Sequence, residues 1–380
     1  MHNFFQISHS NSFFISLLFF SFTLYFGFKL FKSKEAKYDS QKFFYFLAVT
    51  FFILVHGVIS SNFPTPFNFS RFFMSIIYLI TMIFSAYLIY VYRDNIENVI
   101  FEHAITFFCY FLIFFGYISA IGINISGAGG VPVFYFDEPC KFSAALAPFF
   151  IYRLVKGPTV EKLLVAGLAL KLAFMFPSTT LLFICLFAPI IFLSIKDVVI
   201  IYILYFFIAS TSGLNINGVN AIENFHEKIP LINAVSLDIA QVNQSLAVFY
   251  SGWIRGFLNF KLTYGMGIGF QQLGFRGALD KFLIYLYPLN LLDGATVGAK
   301  IINEFGFFGV LFLLAYLKCL ILKISSIRTM LLPSNRYKGK LKNINIFLDL
   351  SFISFFVNLF VRGAGYFDIS CYLFITSLFF

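Results

Sequence analysis

Long apolar runs, separated by short polar segments, dominate the chain. Phe, Leu and Ile fill runs of about 20 residues, the length a helix needs to cross a hydrocarbon core of about 30 Å. A closed barrel would instead need segments of about ten residues with strict two-residue alternation, and the unbroken runs lack that alternation. The pattern therefore predicts an all-α fold, a polytopic transmembrane helical bundle.

The runs predict about 11 spans within a single integral membrane domain, residues 1–380. The run 163–195 is too long for one crossing and has Pro177 near its middle, so we predict two short crossings joined by a tight turn. We interpret the first span as an uncleaved anchor. The predicted spans are residues 11–31, 43–60, 72–92, 104–123, 142–155, the pair within 163–195, 198–214, 299–322, 346–361 and 366–380.

Two longer polar segments interrupt this pattern, a large loop at 215–298 and a second loop at 124–141. In the large loop, apolar residues recur every three or four positions over 230–260, which predicts an amphipathic helix. Arg255 lies on its polar side together with Gln244. The polar side of this predicted helix therefore carries one guanidinium group, that of Arg255, beside side-chain amides.

A glycine-rich segment follows this helix. Gly265, Gly267 and Gly269 come shortly before a second arginine, Arg276. Glycines at this density let the backbone turn sharply or approach a ligand closely. We therefore expect these three glycines to belong to a binding site.

The composition agrees with a membrane protein, since 60% of the residues are hydrophobic and only 12% are charged. The formal net charge of +10 comes from basic residues scattered beside the spans, so no nucleic-acid partner is expected. Lys and Arg concentrate in alternate loops, whereas the short loops of the other side hold Arg71, Lys141 and Arg362. The positive-inside rule then places the loops 215–298 and 124–141 outside.

Several function classes find no support in the chain. Five cysteines without a C-x-x-C pair indicate neither a disulfide framework nor a zinc site, and no H-E-x-x-H motif is present. No G-x-x-x-x-G-K-[ST] loop is present either. We therefore predict no metal and no nucleotide cofactor.

The charged residues predicted to lie outside are the candidates for chemistry. Arg255, Arg276 and Arg362 present planar forks of donors that suit phosphate oxygens. Glu138 and Asp293 could accept a proton from an attacking hydroxyl. Together they would suit transfer of a group away from a lipid-linked phosphate. The alternative is that each forms a loop salt bridge or an anchor at the lipid headgroups.

Three sequence motifs resemble those of a known superfamily. They are Trp253-Ile254-Arg255 followed by Gly265-x-Gly267-x-Gly269-Phe270, then Asn303-Glu304-Phe305-Gly306 entering an apolar span, and Phe136-Asp137-Glu138-Pro139-Cys140 in the earlier loop. The first two resemble the O-antigen polymerase and O-antigen ligase superfamily. The third resembles a motif of Wzy-type polysaccharide polymerases. Span number and one large outer loop agree with that resemblance.

The resemblance implies a glycosyltransferase of the bacterial inner membrane, multi-pass, with its active site facing the periplasm. Such a polymerase joins undecaprenyl-pyrophosphate-linked oligosaccharide repeat units, one as donor and one as acceptor, into O-antigen for lipopolysaccharide. The donor is already activated, so no cofactor is implied. Membrane lipid and a polysaccharide chain-length regulator are the further partners that it suggests.

The resemblance also implies roles for particular residues. Arg255 matches the loop arginine that engages the pyrophosphate, Gly265, Gly267 and Gly269 match family glycines, and Glu138 matches the acidic residue of the earlier motif. Our hypothesis assigns catalysis to Arg255, Glu138 and Asp293. It assigns substrate binding to Arg276, Arg362, Lys141, Gln244 and the three glycines.

The chain departs from the family pattern at two points. The arginine often found just before the acidic motif is absent. The chain also has Asp293-Gly294 where ligases carry His-Asn before the last glycine motif, which favours the polymerase. An O-antigen ligase and a repeat-unit flippase or transporter remain the alternatives.

Overall fold

The described part of the chain is helical. The computed structural model describes residues 39–63, 65–122, 133–134, 136, 138–176, 178–211, 244–279, 294–331, 342–363 and 365–380. Within these ranges there is no β-strand, and two isolated bridges join Val133 to Phe136 and Leu273 to Arg276. The predicted first span, 11–31, lies outside the described residues.

Twelve α-helices occupy these ranges. They are α1 (Ser40–Ser61), α2 (Phe69–Tyr92), α3 (Asn98–Ala120), α4 (Pro139–Lys156), α5 (Thr159–Met175), α6 (Thr179–Phe192), α7 (Ile195–Thr211), α8 (Gln244–Leu262), α9 (Val297–Phe305), α10 (Phe307–Leu331), α11 (Asn343–Phe360) and α12 (Ile369–Ser377). A short 3-10 helix, Arg93–Asn95, follows α2.

Five of these helices are long and apolar enough to cross a membrane. They are α1, α2 with its 3-10 extension, α3, α10 and α11. The prediction of a membrane-spanning helical protein is therefore confirmed at this level. The run 163–195 forms two helices, α5 and α6, and the side chain of Ser178 caps the start of α6. The number of about 11 crossings and the periplasmic position of the loops stay predictions.

One predicted span is divided in the structure. The range 299–322 was predicted as one crossing, but the chain breaks at Gly306 between α9 and α10. Gly306 has φ 55° and ψ −124°, a conformation that favours glycine. The Phe307 N–H donates to the carbonyl of Gly265 across the break. α9 is thus a short separate helix that carries the polar residues Lys300, Asn303 and Glu304.

The core of the bundle lies around α4 and α11. Nearly every residue of α4 from Phe142 to Val155 is buried. α11 packs against α4, α9 and α12. α9 therefore reaches the centre of the fold rather than its surface.

Ion pairs join the helices at the end of the bundle away from α9. Arg153 of α4 binds Glu161 of α5 through two nitrogens and lies 3.6 Å from Glu102 of α3. Lys323 of α10 pairs with Asp349 of α11. Arg153 and Lys323 were both predicted to lie on the cation-rich side of the bundle.

The buried Arg153 pair should contribute strongly to stability. Arg153 is 5% exposed, so we expect Arg153→Met to lower the free energy of unfolding by about 3–5 kcal/mol, because Glu161 loses its cationic partner. Thermal or denaturant unfolding of the purified protein would measure this. The control is Lys342→Met, which breaks an exposed pair with Asp94 and should cost at most about 1 kcal/mol. An equal loss of unfolding free energy in the two variants would contradict a special contribution of the buried Arg153 pair.

Candidate active site around helix α9

The glycine segment is joined by its backbone to the break between α9 and α10. The N–H of Ile268 donates to the carbonyl of Asn303 at 3.0 Å, and the N–H of Gly269 donates to that of Glu304 at 2.9 Å. Two of the motifs that carry the resemblance, about 40 residues apart in sequence, therefore form one unit.

Close packing explains why glycine occupies these positions. Gly267 has φ +82°, and a Cβ there would lie 2.5 Å from the carbonyl oxygen of Glu304 and from the N–H nitrogen of Gly306. Gly265 and Gly269 also have positive φ. The structure thus gives these glycines a packing role. Their predicted role in binding substrate stays a prediction.

Helix α8 turns its polar side toward the protein interior. Ser251, Arg255 and Asn259 recur every four residues, and all three are buried, with Arg255 only 1% exposed. Phe257, on the predicted apolar side, is 70% exposed, whereas Phe249 is buried. The helix was predicted over 230–260, and its first part lies outside the described residues.

Amides and glycines hold α8 against α9. The Asn259 amide donates to the Oδ1 of Asn303 at 2.6 Å, and the Nδ2 of Asn303 donates to the carbonyls of Gly252 and Ala299 at 3.1 and 2.8 Å. Gly252 lies directly against the carbonyl of Gly294, and a Cβ on Gly256 would lie 3.4 Å from Asn303. Small residues four apart let two helices approach closely. Arg255 is therefore fixed beside α9.

Arg276 binds the turn between α1 and α2. Its guanidinium donates to the hydroxyl of Thr65 and to the carbonyl of Ser60, both at 2.8 Å, and to the carbonyl of Phe63 at 3.4 Å. Gln272 adds a paired hydrogen bond with the backbone of Asn68. Burial lowers the pKa of Arg276. Through these hydrogen bonds, Arg276 connects the α1–α2 turn to the segment that follows the three glycines.

A second polar group surrounds Glu304 of α9. Arg71 and Lys300 both direct a nitrogen at the Oε1 of Gln271, at 3.2 and 3.5 Å. Lys300 also lies 5.0 Å from the centre of the Tyr366 ring. Glu304 is fully buried, and burial raises its pKa, while Lys300, the backbone of Gln271, Tyr366 and Arg71 act in the opposite direction. Two cations and one carboxyl group thus lie close together, with Lys300 and Glu304 buried and Arg71 partly exposed.

The loop motif before α4 reaches the same region. Glu138 pairs with Arg362 at 3.5 Å and accepts a hydrogen bond from the Cys140 thiol at 2.9 Å. Burial raises the pKa of Cys140 to about 12, so this thiol stays protonated. Next to Arg362, the N–H of Gly363 donates to the carbonyl of Ala295, just before α9. Two predicted site residues, Glu138 and Arg362, are therefore in contact near the start of α9.

The structure says less about three of the predicted site residues, Lys141, Asp293 and Gln244. Lys141 lies within electrostatic reach of Asp368, at the start of α12. Asp293 lies outside the described residues. Gln244 begins α8, and its side chain also lies outside what the structure describes.

Sequence reasoning gave Lys300 no role and named Asn303 and Glu304 only within a motif that carries the resemblance. Lys300, Asn303 and Glu304 were placed in or beside a predicted span, although three polar residues within five positions are unusual for a lipid-exposed helix. The spacing of Gly252 and Gly256 could also have predicted that α8 packs closely against another helix, because small residues four apart indicate such a contact. Arg71 was used only to judge orientation.

The described residues contain no group of three or more His, Cys, Asp or Glu placed to hold a metal ion. Comparison with protein-family models, with curated proteins and with solved structures finds no match to this chain. The resemblance described above therefore depends on the sequence motifs alone.

The backbone contact at Gly267 can be tested against a glycine that lacks it. Gly267→Ala should lower the free energy of unfolding by about 3 kcal/mol, combining a left-handed backbone cost of about 1–2 kcal/mol with overpacking of about 1–3 kcal/mol. Gly365 also has positive φ, at +111°, but an added Cβ would meet nothing within 4 Å. Gly365→Ala should lower the free energy of unfolding only by the backbone cost, without the overpacking cost. Thermal unfolding of both variants would show whether they differ.

Proposed function

We propose that this chain is an O-antigen polymerase, which joins undecaprenyl-pyrophosphate-linked repeat units at the periplasmic face of the inner membrane. The observation that carries the proposal is the meeting of separate motifs around α9. Arg255 lies buried on the helix packed against α9, the glycine segment binds the end of α9, and Glu138 lies close to its start. Residues that resemble one family's motifs thus surround one helix beside a candidate membrane span.

The chemistry of these residues suits glycosyl transfer from a pyrophosphate. Guanidinium groups bind phosphate oxygens through paired charge-assisted hydrogen bonds. In the proposal, Arg255 stabilises the negative charge that grows on the pyrophosphate as the anomeric bond breaks. Arg276 and Arg362 help to bind the donor. Arg276 also holds the α1–α2 turn, so its replacement would disturb both the turn and the site.

A carboxylate has to accept the proton of the attacking hydroxyl in this reaction. Glu138 is assigned this role, with Asp293 as the second candidate. Arg362 lies 3.5 Å from Glu138, so the assigned base and one of the cations assigned to the donor are neighbours. The new glycosidic bond forms as the bond to the pyrophosphate breaks, and the proton passes from the hydroxyl to the carboxylate.

Replacing Arg255 tests the proposal most directly. Arg255→Lys keeps the positive charge but loses the planar fork, so we expect polymer formation to fall about a hundredfold. The measurement is the lipopolysaccharide ladder of cells that carry the variant as their only copy, with protein level and melting temperature recorded alongside.

Lys261→Ala is the matched control, because Lys261 is an exposed cation in the last turn of the same helix. Its ladder should equal that of the wild type. A full ladder in the Arg255→Lys cells at normal protein level would remove Arg255 from the mechanism.

The alternatives predict different behaviour. Deleting a polymerase gene should leave lipopolysaccharide capped by one repeat unit, whereas deleting a ligase gene should leave none attached. A flippase or transporter, reconstituted in liposomes with lipid-linked repeat units, would move them without lengthening the glycan. We expect single-repeat caps in the deletion strain and longer lipid-linked glycan in the liposomes.

A further inference from the structure

The glycine segment, taken as residues 263–279, meets the ends of three candidate membrane spans. The guanidinium of Arg276 binds the last turn of α1, and the side chain of Gln272 bonds to the backbone of the residue that caps the start of α2. The N–H of Phe307, the first residue of α10, donates to the carbonyl of Gly265. Because all three contacts lie at the ends of candidate spans, the segment lies at one boundary of the membrane.

Part of the segment lies deeper than the end of α1. His56 is five residues before Ser61, where this span ends, which is about 7.5 Å along the helix axis. The Nε2 of His56 donates to the carbonyl of Met266 at 2.7 Å. Its ring also packs against the rings of Phe305 and Phe308, with centres 5.1 and 6.3 Å away. The backbone at Met266 therefore lies at the depth of a membrane-crossing helix.

The backbone of the segment is bonded in the way that such a depth requires. Irregular backbone is tolerated at membrane depth only where its polar groups are bonded within the protein or line a water-filled cavity. The N–H of Gly267 donates to the hydroxyl of Thr263 at 2.8 Å, and the N–H groups of Ile268 and Gly269 donate to two carbonyls of α9. These groups have protein partners and do not need water.

Large apolar and aromatic side chains of the segment are nevertheless exposed. The exposed fraction is 93% for Tyr264, 42% for Phe275 and 57% for Leu279, whereas Ile268 between them is 1% exposed. The segment thus has a side that packs on the protein and a side that does not. Tyrosine is also one of the residues enriched where a membrane protein crosses the lipid–water interface.

The exposed side chains continue the exposed apolar surfaces of the spans. Phe307 is 53% exposed, and its N–H bonds to the residue that follows Tyr264. Phe69, the first residue of α2, is 54% exposed. Two residues further along α2, the guanidinium of Arg71 lies 4.9 Å from the centre of the Phe275 ring. Because a surface of this kind on a membrane span faces lipid, lipid is also the partner that fits the side chains next to it.

We propose that residues 263–279 form a re-entrant segment, which dips into one leaflet where α1 ends and α2 and α10 begin, and which contacts phospholipid through Tyr264, Phe275 and Leu279. The sequence predicts 215–298 as one loop outside the membrane, so the proposal moves this part of the loop to the level of the lipid headgroups. The candidate site around α9 then lies at the membrane surface rather than under a lid in water.

Tryptophan fluorescence would test this placement. The chain contains one tryptophan, Trp253, so Trp253→Phe gives a background without tryptophan. In that background, Tyr264→Trp and Phe275→Trp each place a reporter by exchanging one aromatic side chain for another. The full-length protein is reconstituted in phosphatidylcholine vesicles whose acyl chains carry bromine either close to the headgroup or close to the chain end. Shallow bromine should quench both reporters at least about twofold more than deep bromine, because the chain ends lie near the middle of a core about 30 Å thick.

Phe51→Trp is the matched control. Phe51 lies near the middle of α1 and is 68% exposed, so deep bromine should quench this reporter more than shallow bromine. The same order of quenching in Phe51→Trp and Tyr264→Trp would overturn the placement at headgroup level. If Trp253→Phe does not fold, the substitutions are made in the wild-type chain and measured as the emission added to that of Trp253.

Two further results would overturn the proposal. Quenching of Tyr264→Trp and Phe275→Trp by acrylamide in the water phase, but by neither lipid, would place the segment in water. Protection from both acrylamide and bromine would mean that protein covers these side chains. None of these measurements involves glycan synthesis, so the placement and the proposed function can fail separately.

Discussion

The backbone contact between the glycine segment and the end of α9 is the constraint on which the rest of the site depends. It fixes where α9 stops, because Gly306 adopts its unusual backbone conformation against Gly265. It also fixes where the segment leading to Arg276 lies, and Arg276 in turn holds the turn before Arg71. Helices α1, α2, α8 and α10 are thus related to one another through a few backbone atoms.

The side-chain amides between α8 and α9 are hydrogen-bonded within the protein. The side-chain amide of Asn259 donates to the amide oxygen of Asn303, and the amide of Asn303 donates to two backbone carbonyls. Such a network is stable only when each member keeps its partner, since an unpaired polar group in a region of low dielectric is costly. Lys300 and Glu304 lie on the same helix as Asn303 and are buried with it, so this network helps to fix their positions.

The helices could be predicted from the sequence where the signal is local. Apolar runs placed α1, α2 and α11 to within about three residues and the start of α3 six residues late, and Pro177 correctly separated α5 from α6. The break at Gly306 could not be found in this way, because the residue that stabilises it, Gly265, is about 40 positions away. The same holds for the inward polar side of α8. Amphipathicity predicts two faces, but only the packing of α9 against Gly252 and Gly256 decides which face is buried. Glu138 and Arg362 were both expected on one side of the membrane. That they form an ion pair could be seen only in the folded structure.

The close backbone contacts of the glycines have a consequence for how such a sequence can change with time. A lipid-facing Phe or Leu can be exchanged for almost any apolar residue, because the lipid tails are as apolar as the side chain that is lost. Gly267 or Gly306 has no such freedom, since a single added carbon would overlap main-chain atoms. Two chains with this architecture can therefore drift apart over most of their length and still agree at a few scattered positions, and a comparison that sums similarity along the whole chain would detect little between them.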